Sequence, residues 1–169
     1  FARFDLELHP EKTRLIEFGR YAAERRSNRG AGPPETFDFL GFTHICGQTR
    51  KGDFTIKRIS AVKKVRAKLK ELKAKLRKKM HGELAVVGAW LSSVYRGWCQ
   101  YHAIPGNSTR LQQFRTALQD LWYRVLRRRS QRARSLTWPK FCQLSKRWLP
   151  SPKILHPYPN VRFARQHPR

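Results

Sequence analysis

The sequence predicts an α+β chain: a small antiparallel sheet, then a basic three-helix bundle, then a largely irregular C-terminal arm. Three observations carry this reading. Through about residue 58, short apolar runs of strand length alternate with turn residues, as in FDFLGFTHIC, GQTRKGD and FTIKR. From Ile59 the apolar spacing changes to three and four residues, the period of a helix that buries one side. Past a third such stripe the chain becomes basic and rich in proline. The expected divisions are residues 1–58, 59–130 and 131–169.

In the first division, His9-Pro10 signals a turn. A short run follows in which Ile16 and Phe18 share a side, and it reads as a first strand. Residues 21–36, YAAERRSNRGAGPPET, have the glycine, proline, serine and arginine content of an exposed loop. FDFLGFTHIC reads as one continuous strand, with Phe37 and Phe39 on one face and Asp38, Leu40 and Phe42 on the other. Gly41 would break an ordinary strand, so it reads as a place where another backbone comes close. GQTRKGD turns the chain and FTIKR returns as a third strand.

The first helix is expected on Ile59, Val62, Val65, Leu69, Leu72 and Leu76, with Gly82 placed to end it. The second carries Leu84, Val87, Leu91, Val94, Trp98 and Tyr101 on one face. The loop AIPGNS separates it from a third, where Thr109 and Gln112 have capping-box spacing and Leu111, Phe114, Leu118, Leu121 and Val125 form the stripe. Thr137 is a natural N-cap and Pro139 a natural first-turn residue for a short helix with Trp138, Phe141, Leu144 and Trp148. The remainder, LPSPKILHPYPNVRFARQHPR, reads as extended.

Charge is the strongest functional signal. The chain of 169 residues has 37 Lys and Arg against 11 Asp and Glu, a formal net charge of +26. Such an excess repels itself in a compact state, and its usual partner is a polyanion, above all nucleic acid. One cluster lines the first helix: Lys57, Arg58, Lys63, Lys64, Arg66, Lys68, Lys70, Lys73, Lys75, Arg77, Lys78 and Lys79, interrupted only by Glu71. A solvated helix normally mixes signs to gain i,i+4 pairs of ~0.2–0.5 kcal/mol. Forgoing them is sensible if phosphates supply the counter-charge. A second cluster holds Arg124, Arg127, Arg128, Arg129, Arg132 and Arg134, whose planar forks suit phosphates and base faces. Among the aromatics, Trp98 and Tyr101 lie on the apolar stripe and are expected in the core, whereas Tyr95, Tyr123 and Trp138 are expected at the surface.

Signals for chemistry are weak. Cys99 and His102 stand at a spacing two metal ligands can use, but no second pair completes a site, with only His44 and Cys46 as loose candidates. Asp5, Asp38, Asp53 and Asp120 are scattered, and no adjacent Asp pair is present to hold the magnesium that phosphoryl transfer needs. No catalytic residue, metal or cofactor is therefore expected in this chain. No apolar run approaches the ~20 residues of a membrane span. Three separated cysteines without a CxxC suit a reducing compartment, so the expected location is the cytoplasm. The sequence begins with Phe and reads as part of something longer.

The order of these features resembles the C-terminal part of a group II intron-encoded reverse transcriptase/maturase. LELHPEKTRLIEFGR, a variable loop and then FDFLGFTH are similar to the last two blocks of that family's palm. YRGWCQYH, residues 95–102, resembles the thumb, or maturase X domain, signature R-G-W-x-x-Y, and LTWPKFCQL through PSPKILHPYP resembles the DNA-binding segment. The resemblance implies that Leu40, Gly41 and Phe42 correspond to the primer grip, that Lys12 and Thr13 belong to the preceding block, and that Arg96, Gly97, Trp98 and Tyr101 match the thumb signature. It further implies intron RNA as the partner and splicing assistance as the function, with target DNA and a separately encoded fingers–palm chain as further partners. The family's Tyr-Ala-Asp-Asp acids have no counterpart here, so magnesium-dependent DNA synthesis would need the complete polymerase. The alternative is the C-terminal half of a split reverse transcriptase, active only with its fingers–palm chain.

Overall fold

The computed structural model describes residues 7, 9–11, 13–159 and 161. Lys12, assigned by resemblance to a conserved block, lies outside the described residues. Among the described residues, the architecture mixes five α-helical elements with one three-stranded antiparallel sheet. The elements are α1 (Ala22–Asn28), β1 (Phe37–Phe39), β2 (Phe42–Gln48), β3 (Phe54–Ser60), α2 (Val62–Lys78), α3 (Leu84–His102), α4 (Ser108–Arg127), a 3-10 turn (Arg132–Ser135) and α5 (Trp138–Ser145). The strands lie in the order β1-β2-β3. The chain divides into two compact units, Phe1–Phe37 with His44–Lys57, and Asp38–Thr43 with Arg58–Arg169.

The first unit is held by few contacts. Phe37 stacks on His44 with ring centroids 4.8 Å apart and meets Phe18 edge-on at 4.9 Å. The Gly19 amide donates to Cys46 Sγ at 3.3 Å. The expected first strand around Ile16 and Phe18 is absent: residues 13–18 make no ladder. Part of the expected exposed loop instead coils into α1, where AAERRSN has the helix-forming residues to close two turns. Between β2 and β3 the anticipated turn is present, with Gly52 at φ 87° and the Thr49 amide bonded to the Asp53 carbonyl at 2.8 Å.

FDFLGFTHIC is not one strand. Leu40 (φ 48°) and Gly41 (φ 79°) both take the left-handed conformation, as a two-residue type I′ hairpin turn requires. The run therefore folds into β1, a turn and β2. Leucine is a poor residue at positive φ, so a sequence reading misses the turn. Gly41 is needed by the turn itself. The Gly41 carbonyl accepts from the Ala61 amide at 2.9 Å, and the Tyr101 hydroxyl donates to the Leu40 carbonyl at 2.6 Å.

The second unit owns the core. Leu72 and Leu76 from α2, Leu91, Tyr95 and Cys99 from α3, Phe114, Leu118 and Trp122 from α4, and Phe141 with Leu149 beyond it form one buried cluster. Ile59, expected to open the first helix, belongs to β3, and the helix starts after Ala61. Thr109 is not the cap of α4; Asn107 occupies that position. Thr137 occupies the N-cap position of α5 without a side-chain capping bond, and Pro139 lies in the first turn. Gly88 allows the closest packing: a Cβ there would sit 2.5 Å from the Trp148 ring. That contact ties the end of the chain to α3.

The buried face of α3 is rotated from the expected one. Tyr95 is 2% exposed and Tyr101 52% exposed, the reverse of the sequence reading. Both stripes carry aromatics, so periodicity alone could not choose between them. Tyr95 can be buried because its hydroxyl donates to the Pro150 carbonyl at 2.9 Å. Trp98 is half-buried, stacked between His102 and Phe114 at 3.9 and 4.3 Å.

Candidate nucleic-acid interface

Helix α2 forms because its sequence is almost entirely Lys, Leu, Ala, Arg and Glu, all strong helix formers. Leu72 and Leu76 fix one side to the core, so the cations must face outward. All the basic residues singled out in the sequence are exposed except Arg58, Lys68 and Arg129, which are half-buried. Glu71 accepts from Lys75 at 2.6 Å and from Lys68 at 3.0 Å, and these bonds hold its carboxyl below the ordinary carboxylate value. Arg124 pairs with Asp120 at 3.0 Å. Lys57 stands apart in the first unit, where its stem covers Gly47.

The two basic clusters meet. An open groove of about 680 Å³ is lined by Lys73, Arg77 and Met80 from the end of α2 and the turn after it. Leu121, Tyr123, Arg124, Val125, Arg127 and Arg128 from the end of α4 complete it, with Arg134 from the 3-10 turn. Its lining has six cations and no carboxylate, histidine or cysteine. Such a lining can bind and orient an anion but offers no general base or metal ligand. By contrast, a cavity of about 750 Å³ in the first unit has Arg20 and Lys57 opposed by Glu24 and Asp53.

Helix geometry accounts for part of this. The groove lies at the C-terminal ends of α2 and α4, where exposed carbonyls favour cations by ~0.3–1 kcal/mol each. That cannot be the whole explanation. Lys63 and Lys64 occupy the first turn of α2, the end a dipole disfavours for cations, and no acid occupies the first turn of α2, α3 or α4.

The groove is partly preformed. The Arg127 guanidinium sits 5.5 Å from the Tyr123 ring centroid and donates to the Arg134 carbonyl at 3.2 Å. Tyr123 is itself fixed, its hydroxyl donating to the Leu136 carbonyl at 3.1 Å. The sequence reading did not mark Met80 and took Leu121 and Val125 for the core stripe of the third helix, because an apolar residue on a helix looks like ordinary core. Arg96 is exposed on α3 and does not line the groove, nor do Leu40 and Phe42. Leu40 is 67% exposed, whereas Phe42 is buried against Tyr101 and His102 at 5.5 and 5.0 Å.

The opposite end of the same unit is neutral and closed. The Asn107 side chain donates from Nδ2 to Ser60 Oγ and to the His102 carbonyl, both at 2.8 Å, and accepts from the Ser60 amide at 3.0 Å. Ser60 Oγ and His102 Nδ1 share a further hydrogen bond at 3.0 Å. Burial pushes the His102 pKa down to about 4. Burial also raises the Cys99 thiol, which lies beside the Tyr95 hydroxyl. Among the described residues, no group of three or more His, Cys, Asp or Glu side chains is placed to hold a metal ion, and no helix is long and apolar enough to cross a membrane. No protein-family model matches this chain, nor does any curated protein or solved structure.

Proposed function

We propose that this chain is an RNA-binding maturase fragment of a group II intron reverse transcriptase, holding folded intron RNA by phosphate neutralisation and so assisting splicing. The observation that supports this most is the convergence of Lys73, Arg77, Arg124, Arg127, Arg128 and Arg134 on one groove with no carboxylate in its lining. A core that holds like charges together at that density needs a counter-charge, and RNA phosphates supply it in a fixed array. The exposed cations of α2 extend the same field along the helix. Binding without bond-making is the chemistry that a groove of lysine and arginine supports.

The test is equilibrium binding of the full chain to a structured group II intron RNA across ionic strength. Affinity should fall log-linearly with salt, with a slope of about −0.7 to −0.9 for each phosphate neutralised. The intron RNA should out-compete an unrelated structured RNA of equal length. Affinity unchanged between low and high salt, or equal competition by the unrelated RNA, overturns the reading. The alternative, a half-enzyme completed by a separate fingers–palm chain, draws support from Phe39 and Leu40, which are 59% and 67% exposed at the β1–β2 turn. Template-dependent DNA synthesis appearing only when both chains are mixed with magnesium would favour it.

A further inference from the structure

The groove differs from a plain basic surface in having an apolar floor. Met80, Leu121, Tyr123 and Val125 line it together with the cations. A duplex presents phosphates and sugars outward and keeps its base faces stacked, so it has nothing to place on such a floor. An unpaired nucleotide has both parts: an aromatic face to cover apolar surface and a phosphate for the rim.

Resting on the RNA-binding reading above, we infer that this groove is a subsite for one unpaired purine nucleotide of an RNA, with its base stacked on the Arg127 guanidinium and its phosphate among the groove cations. Arg127 is suited to be the stacking plane. Its guanidinium is held from below by the Tyr123 ring at 5.5 Å and from the side by the Arg134 carbonyl at 3.2 Å. Arg127 is exposed, so its side chain is accessible to a ligand. A guanidinium fixed in this way loses little freedom when a base settles on it. At about 680 Å³ the groove is within the ~300–1,000 Å³ range of small-molecule sites, large enough for a nucleotide but not for a helix. The charge of the rim selects a phosphorylated ligand over a neutral aromatic one.

The experiment compares two RNA hairpins that differ by a single bulged adenosine in the stem, at matched salt, using the full chain. The bulged hairpin should bind about tenfold tighter, the scale of one base stacked on a planar side chain. Arg127→Lys keeps the charge and removes the plane. It should abolish that preference, so that the bulged and paired hairpins bind the variant equally. Met80→Ala, a second variant outside any hydrogen-bond network, should reduce the preference without altering the slope. Equal binding of both hairpins by the unaltered chain, with a steep salt slope, overturns the subsite and leaves the RNA-binding reading standing. A preference retained in Arg127→Lys also overturns it. Salt-independent binding of both hairpins removes the electrostatic reading on which the subsite rests.

Discussion

The two ends of the helical unit solve opposite problems. Where α3 ends and α4 begins, Ser60, His102 and Asn107 are all buried, and Asn107 directs both Nδ2 hydrogens and its Oδ1 to the other two. Where α2 and α4 end, six cations share one groove with an acid-free lining. The first end contributes order: Ser60, His102 and Asn107 bond one another inside the protein, so loss of one weakens the others. The second contributes capacity: Arg124 pairs with Asp120, and the other five cations meet no carboxylate in the lining. Fold and binding are thereby separated along the same helices, and α4 carries both.

The largest effect expected from breaking this contrast is at the buried end. Asn107→Ala would take the side-chain partner from the Ser60 amide and leave the His102 carbonyl with the Ile104 amide alone, a loss of about 1–3 kcal/mol in urea unfolding. Its effect on the salt slope of RNA binding at a temperature where it remains folded should be nil.

Next is acid. Burial lowers the His102 pKa from 6.5 to about 4, so the unfolded chain takes up a proton that the folded chain refuses. Stability is therefore complete above pH 6.5 and falls as pH drops from there toward 4. The loss by pH 4.5 should be on the order of 2–3 kcal/mol. His102→Gln should flatten unfolding free energy against pH across that window; an unchanged profile would show that His102 is not its source.

Gly88→Ala forces a methyl against the Trp148 ring, and should lower stability by about 1–3 kcal/mol with a matching drop in melting temperature. The smallest change in stability is at the groove. Arg77→Ala and Arg128→Ala remove exposed cations and should alter stability by less than about 0.5 kcal/mol. Each should nevertheless reduce the magnitude of the salt slope by about 1. A groove variant that unfolds the chain, or a buried-end variant that changes only binding, would erase the distinction between the two ends.

Much of this was legible in the sequence. The stripes of α2 and α4 are regular enough to place Leu72, Leu76, Phe114 and Leu118 in the core, and the one-sided charge of α2 announces an outward cationic face. What escaped reading depends on partners far along the chain. Tyr95 is inside because Pro150 accepts its hydroxyl hydrogen, and Asn107 because Ser60 lies 47 residues away. No local pattern encodes either. The Leu40-Gly41 turn escaped for a different reason: apolar residues surround it, and Leu at φ 48° gives none of the Asn or Asp signal that such turns usually show. The groove was half legible. Both clusters of its rim were visible, but their meeting depends on how α2 and α4 pack, and the apolar floor on residues that look like core.

The segment after α5 is attached in an unusual way. Trp148 and Leu149 anchor it by their side chains and His156 by its ring on the Gln100 carbonyl, but the rest of its hold on the helices runs through main-chain atoms: the Leu149 carbonyl accepts from Arg115 at 2.8 Å and the Pro150 carbonyl from Tyr95. The Leu155 and His156 amides donate to the Ala103 carbonyl at 2.9 and 3.2 Å. Meanwhile the side chains of Ile154, Leu155 and Tyr158 are 40, 56 and 64% exposed. A fastening made of peptide groups does not depend on which side chains they carry. Lineages of this protein can therefore rewrite those positions freely while the path of the chain stays the same, so residue identity there should diverge much faster than the spacing between Trp148 and His156.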